Sequence, residues 1–240
     1  MLSVSVIMPT LNEEGRIRNQ VRLLAALGED LEVIVADGGS VDRTVDRVPF
    51  PARVVSGPRG RGAQMNAGAA AASGEILWFV HADCAPHPAS LPALRSALAD
   101  STIVGGAFEY GLDEVGILYR LVEAVSNRKN RLLRLLYGDM GIFVRREVFR
   151  RTGGFREIPL MEDMEFGRRL RQEGRIVILP QRITTSARRW RAEGFAWNLV
   201  RNWVLQAGWL MGADPARLAG WYSFDGNEPH RKAGRLAERG

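Results

Sequence analysis

A chain of 240 residues with 46% hydrophobic and 25% charged residues has the core content of an ordinary globular protein, which excludes a disordered or low-complexity polypeptide and bounds the molecule at one large α/β domain with room for a helical extension. The net charge of +6 and pI near 10.2 come almost wholly from arginine, Lys129 and Lys232 being the only lysines, and reflect either an arginine-rich composition or attraction to anionic partners. The lone cysteine, Cys84, excludes an intramolecular disulfide and an all-cysteine metal site, and reads as a small packed residue.

The N-terminal stretch Met1-Leu-Ser-Val-Ser-Val-Ile-Met-Pro lacks a basic start, so it reads as a first strand rather than a signal peptide. No apolar run reaches the roughly 18 residues of a membrane span, so the expected location is the cytosol, up to the inner face of the membrane. Strand Ser3–Met8 precedes a helix over Glu13–Leu27 with Asn12 as its N-cap. Strand Glu32–Ala36 runs into the Gly38-Gly39-Ser40 turn and a short helix near Asp42–Arg47, and Arg53–Val55 is a third strand. Gly57 through Gly62 opens a helix to about Ser73, followed by strand Glu75–Val80 and helix Pro88–Asp100. Such alternation implies a mostly parallel sheet covered by helices on both faces.

The second half is less regular. Thr102–Tyr110 predicts a strand, Val115–Leu136 one or two basic amphipathic helices, Gly141–Arg145 a short strand and Glu147–Thr152 a helix. Helix Glu162–Gln172, strands Arg175–Leu179 and Arg182–Ser186, and an aromatic helix from Gly194 to Met211 complete the order. The domain reading is a catalytic unit over 1–190, with a nucleotide-binding half at 1–100 and an acceptor half at 101–190. An aromatic helical segment follows at 191–224, then a polar, flexible tail at 225–240.

Aspartates stand where apolar runs end, at Asp37 and Asp83, and in open α/β sheets ligands bind outside the carboxyl ends of the strands. Both are therefore expected to face one crevice. Pro9, Thr10 and Glu13 follow the first strand and could surround a base and ribose, although a plain helix entry explains them as well. Asp37 could accept a hydrogen bond from a pyrimidine ring N–H, or merely cap its turn. Arg59 or Arg61, at a glycine-rich helix start, could hold a diphosphate or shape the base pocket, with Asn66 facing outward one turn on; Met65 stands where a dinucleotide fingerprint needs glycine. In His81-Ala82-Asp83, one carboxylate could hold a divalent ion whose other ligands are phosphate and water. An imidazole ligand at His81 would tilt the choice from Mg²⁺ toward Mn²⁺; the alternative is a packed histidine. Asp163, in Glu162-Asp163, could act as a base toward an acceptor hydroxyl or simply stabilise a helix start. Arg188-Arg189-Trp190 combines charge forks with a flat ring, suited to a diphosphate or a sugar, or is an ordinary basic helix entry. The aromatic helix is either core or an interfacial or acceptor-binding surface.

Taken in order, Val6-Ile-Met-Pro-Thr-Leu-Asn-Glu-Glu, Ala36-Asp37-Gly-Gly-Ser, Arg61-Gly with Asn66-Ala-Gly, His81-Ala-Asp83, Gly153-Gly-Phe and Glu162-Asp163 resemble a family 2 glycosyltransferase of the GT-A fold, over residues 3 to about 190. The pattern, with Arg188-Arg-Trp, is similar to a small bacterial subgroup associated with arsenosugar or carotenoid-glycoside pathways. The resemblance implies a Rossmann-like, mixed but mostly parallel sheet flanked by helices. It implies that Pro9, Thr10, Glu13, Asp37, Arg61, Asn66, Ala82, Asp83 and Arg189 hold the donor nucleotide. It further implies Mn²⁺ or Mg²⁺ at Asp83 with His81, and Asp163 as general base of an inverting, non-processive transfer. Two departures stand out. His81 replaces the first aspartate of the usual Asp-x-Asp, and Ser186 begins the late signature that processive synthases start with Gln or Arg. Tyr137, Gly138 and Asp139 fall on the acceptor side by order alone. Implied partners are a nucleotide-sugar donor with UDP as default, a small or lipid-like hydroxyl acceptor, a peripheral membrane contact and a second copy in a homodimer, but no nucleic acid. The rival readings are a non-catalytic membrane or nucleic-acid module using the basic helices, and a sugar nucleotidyltransferase, which would need a glycine-rich basic loop where Pro9–Glu14 stands.

Overall fold

The Val- and Ile-rich runs form strands β1 (Val4–Thr10), β2 (Leu31–Asp37), β3 (Arg53–Ser56) and β4 (Ile76–Phe79), as the apolar patterning predicts. The computed structural model describes residues 1–222, so the tail expected at 225–240 lies outside the described residues. Four further strands, β5 (Cys84–Pro86), β6 (Ile103–Leu112), β7 (Phe143–Arg145) and β8 (Arg175–Thr185), complete one eight-stranded sheet in the order β3-β2-β1-β4-β7-β6-β8-β5. The β3-β2-β1-β4 half is parallel, β7 runs antiparallel to both β4 and β6, and β6 pairs in parallel with β8. One mixed, mostly parallel sheet therefore spans both halves of the chain.

Both faces of the central strands β1, β2 and β4 are buried, which is why they read as apolar runs. Along β1, Val4, Val6 and Met8 point to one core with Trp78 and Phe108, while Ile7 points to the other with Phe79 and Phe155, the period of two expected of a strand. Helices α1 (Ile17–Ala25) and α3 (Ser90–Ala97) cover the first face. Helices α2 (Arg61–Ala71) and α6 (Glu162–Glu173) cover the second. The short α5 (Arg146–Arg151) packs behind β7.

Several boundaries differ from the sequence reading. Asn12 does not cap α1: it has φ 53°, its side chain accepts the Val41 N–H at 2.9 Å, and the helix starts at Ile17. The backbone N–H groups of Asn12, Glu13 and Glu14 are instead held by the side chains of Ser40, Thr44 and Asp42, which zips the first two loops together. The two strands predicted at 175–186 are one strand with a register shift between Leu179 and Arg182, where Pro180 has no N–H to give. Cys84–Pro86 is a short strand that sequence patterning does not reveal. The Val115–Leu136 region is the single helix α4 (Ile117–Leu133). The Arg-Arg-Trp segment forms its own short helix, α7 (Arg188–Glu193), ahead of α8 (Phe195–Leu210) and α9 (Pro215–Tyr222).

Candidate active site

At the carboxyl edge of the sheet, β1 and β2 end in register at Thr10 and Asp37, and Ser56 of β3 lies beside Asp37. On the other side of β1, Val80 continues β4 by donating its N–H to Ile7 O, which brings His81, Ala82 and Asp83 to the same edge. Asp37 is thus about two strand spacings, roughly 10 Å, from the chain that carries Asp83. Gln64 of α2, unmarked in the sequence, ties this edge together by donating to the carbonyls of Thr10 (2.6 Å) and Ala36 (3.2 Å).

A cleft of about 280 Å³ opens beyond the edge, lined among others by Arg61, His81, Asp83, Asp139, Asp163 and Arg189. Pro9, Thr10, Glu13, Asp37, Asn66 and Ala82 are outside this lining. Of these, Glu13 still feels the cleft: burial raises its carboxyl, Arg16 opposes, and the charge of Asp83 adds to the rise. Asp37 accepts the N–H groups of Gly39 and Ser40, each at 3.0 Å, and the Ser40 hydroxyl, so its carboxylate organises its own turn. Asn66 pairs with the backbone of Phe155 in both directions, at 2.8 and 2.9 Å, and so fastens the Gly153-Gly154-Phe155 loop to α2. That loop needs its glycines: Gly154 has φ 71°, and a Cβ there would lie 2.6 Å from Asn66 Oδ1.

Helix α6 delivers Asp163. Its N-cap, Met161, is a non-glycine residue at φ 66° and ψ 22°, a conformation that costs about 1–2 kcal/mol. The strain is held by neighbours: Met161 is buried, and Glu162, with a side chain only 1% exposed, grips Arg61 through two contacts of 2.7 and 3.1 Å. Asp163 accepts the Gly138 N–H at 2.7 Å through one oxygen and the Met164 N–H at 2.7 Å through the other. Burial, with Glu162 beside it, raises the Asp163 carboxyl to about 6, against the opposing pull of Arg61 and these two N–H groups. Asp139 is raised further, to about 7, by burial and by the charges of Asp163 and Asp83. The 3₁₀ turn Gly138–Met140 that carries Asp139 passes close to His81: a Cβ on Gly138 would sit 2.5 Å from the imidazole ring.

The His81 Nε2 atom is buried and has no hydrogen-bond partner among the described residues, and burial followed by the charge of Arg61 holds the imidazole below its usual pKa. Ligand atoms of His81, Asp83 and Cys84 lie within 4.8 Å of one another. Burial pushes the Cys84 thiol well up, so it remains protonated and packs against Thr185 instead of offering a thiolate. What is left, a neutral imidazole and an exposed carboxylate, is a nitrogen–oxygen donor pair that would suit Mn²⁺ better than Mg²⁺, with phosphate oxygens and water completing the shell. Arg189, from α7, stacks its guanidinium 4.3 Å over the Tyr222 ring at the rim.

The glycosyl transferase family 2 model matches residues 5–156, more than half of the chain. The chain belongs to glycosyl transferase family 2. Among curated proteins, glucosyl-3-phosphoglycerate synthase of Mycobacterium tuberculosis is 36% identical over 109 residues, covering 40% of this chain and 34% of the relative. An uncharacterized glycosyltransferase of Nostoc is 28% identical over 113 residues, covering 43% of this chain and 35% of the relative. The matched stretch is thus about a third of either relative's length. Among solved structures, the M. tuberculosis synthase in complex with Mn²⁺, UDP and glucosyl-3-phosphoglycerate aligns with a TM-score of 0.53 and 26% identity, over 77% of this chain and 70% of that one. A mannosyltransferase of Pyrobaculum calidifontis in complex with GDP-Man and Mn²⁺ aligns with a TM-score of 0.65 over 92% of this family 2 chain and 69% of its own, at 20% identity, a likeness of fold. The expected GT-A architecture is the one observed.

Proposed function

We propose that this family 2 enzyme transfers a sugar from a nucleoside diphosphate, UDP by preference, to an acceptor hydroxyl with inversion at the anomeric carbon. The observation that carries the reading is the meeting of His81–Asp83 and Asp163 in one cleft, from strands and a helix far apart in sequence. The Asp37–Thr10 end of the sheet edge is the base and ribose side, and residues 1–100 are the donor half; the α6 side, within 101–190, is the acceptor half. The UDP and Mn²⁺ bound to the similar M. tuberculosis synthase support this assignment. A divalent ion held by Asp83 and His81 would neutralise the charge that grows on the departing diphosphate. Arg189 adds positive charge to the lining of the cleft, and Arg61 adds its guanidinium there while paired with Glu162.

Asp163 is the general base. Its two backbone N–H contacts fix the carboxylate, and its raised pKa keeps it basic enough to take a hydroxyl proton while still ionised at neutral pH. Asp139, more strongly raised, carries a proton for much of the time near pH 7 and so limits the repulsion among three carboxylates. Lowering the pH through about 6 protonates Asp163, so kcat/KM falls, by about tenfold per unit once well below that value. A pH–rate profile flat from 7 to about 5 would remove Asp163 from the role.

Inversion is read directly by proton NMR of the sugar released when water replaces the acceptor on an α-linked UDP-sugar. The first anomer to appear is β under this mechanism; the α anomer first would mean retention and a different chemistry.

A further inference from the structure

Helix α4 is built inside out. Its buried residues are Glu123, Asn127 and Asn130, whereas Ile117, Leu118, Leu121, Val125 and Leu132 recur at helical spacing on the outside, Ile117 85% and Leu132 78% exposed. The inward polarity has a cause. β7 opposes β6 only at Gly105 and Gly106, so the outer half of β6 has a free edge. Asn127 pairs with both backbone groups of Tyr110, at 2.8 and 2.9 Å, and Glu123 accepts the Leu112 N–H at 2.7 Å, which satisfies that edge. Nothing comparable explains the outward apolar stripe.

Helix α8 repeats the pattern. Asn198 and Arg201 face inward, where they bind Glu193 at the end of α7, while Trp197, Val200, Trp203, Val204 and Leu210 face outward, each roughly half exposed. The two helices lie side by side, in contact at Tyr119 with Phe195 (5.3 Å between rings) and again where Lys129 meets the Trp203 ring and Gln206. A cavity of about 100 Å³ runs between them, lined by Val122, Ser126, Leu199 and Trp203 on the outer side and by Tyr137 and Asp139 on the inner. Its inner wall is therefore also the wall of the catalytic cleft.

We propose that the α4–α8 face seats on an anionic lipid bilayer, and that the gap between these helices admits the hydroxyl end of an amphiphilic, long-chain alcohol as acceptor. Charge selects the occupant. Of the arginines beside the α4 stripe, Arg120 pairs with Glu123 and Arg131 with Glu109, whereas Arg128 and Arg134 make no ion pair among the described residues; α8 has no acidic residue, and the one carboxylate of α4, Glu123, is buried against Arg120 and Arg182. A second copy would set these arginines against their own duplicates, whereas anionic headgroups complement them. Exposed tryptophans beside arginines, on helices too short to cross a bilayer, are the composition of an interfacial surface. The acceptor class rests on the transferase reading of the cleft; the docking face does not.

The test uses the full chain with phosphatidylcholine vesicles, with and without phosphatidylglycerol, and the double variant Leu121→Glu/Trp197→Glu, both sites being exposed and outside the cleft. The wild type is expected to float with the anionic vesicles at least roughly tenfold more than with neutral ones. The variant should fall to the neutral level with its melting temperature and UDP titration unchanged. With radiolabelled UDP-sugar, label should enter the lipid phase of vesicles doped with a long-chain alcohol. No flotation, flotation that survives both substitutions, or a dimer that the substitutions dissociate overturns the docking face. Donor consumption without label in the lipid overturns the acceptor class alone. Absence of both UDP binding and donor consumption instead defeats the reading of the cleft, and flotation still decides the face.

Discussion

Asp163→Asn is expected to cut turnover by about 10²–10⁴-fold, the range a positioned general base supplies, while UDP affinity stays within a few-fold of wild type. The amide is nearly isosteric and its oxygen can still accept the Gly138 N–H, while the Met164 N–H loses its acceptor, a cost to the α6 start of about 1 kcal/mol. A loss confined to kcat is the signature of an interaction made as the acceptor proton moves. Single-turnover transfer beside UDP calorimetry separates the two effects, and near-normal transfer in the variant would contradict the assignment. The residual activity should also lose the acid limb near pH 6 that belongs to the carboxyl.

Arg61→Ala should be the most damaging change to the fold around the site. The Glu162 carboxylate is 1% exposed and its main partner is Arg61, so truncation leaves a buried charge beside Asp163. Breaking such a pair costs about 3 kcal/mol, or roughly 6–12 °C in melting temperature for a chain of this size. Because Arg61 draws the Asp163 pKa down, its loss should also move the acid limb of the pH profile upward. Replacing both partners together, as Arg61→Met with Glu162→Leu, should recover most of the melting temperature but not the activity. Calorimetric melting of the single and double variants reads the first effect. A single variant melting within about 1 °C of wild type would mean that Glu162 finds another partner.

What the sequence revealed and what it hid follow from the range of the interactions. The parallel strands are legible because burial on both faces leaves apolar runs such as Val33-Ile34-Val35-Ala36 inside β2. His81, Asp83 and Asp163 were legible as carboxyl-edge and helix-start positions, and the structure brings them into one cleft. Asp139 falls on the acceptor side by order alone, because its environment is made by Asp83 and Asp163, far from it in sequence. The glycine-rich helix start singles out Arg59 or Arg61 as an anion ligand, yet the ion pair of Arg61 with Glu162, 101 residues on, leaves no local pattern. Gln64 and Asn66 are alike in the sequence, but the fold commits one to the β1 and β2 ends and the other to the Phe155 loop. Periodicity also found α4 without finding which of its faces is inside. The polar residues turned inward because a free strand edge needed partners, a condition set by where β7 stops.

The most direct test of the donor site is calorimetric titration of UDP, with and without Mn²⁺, into wild type and Asp83→Ala. Binding to wild type that strengthens with Mn²⁺, and in Asp83→Ala is weak and indifferent to the ion, is the predicted result. UDP binding that is equal in the two proteins, or unaffected by Mn²⁺ in the wild type, would contradict a metal-assisted donor site at Asp83.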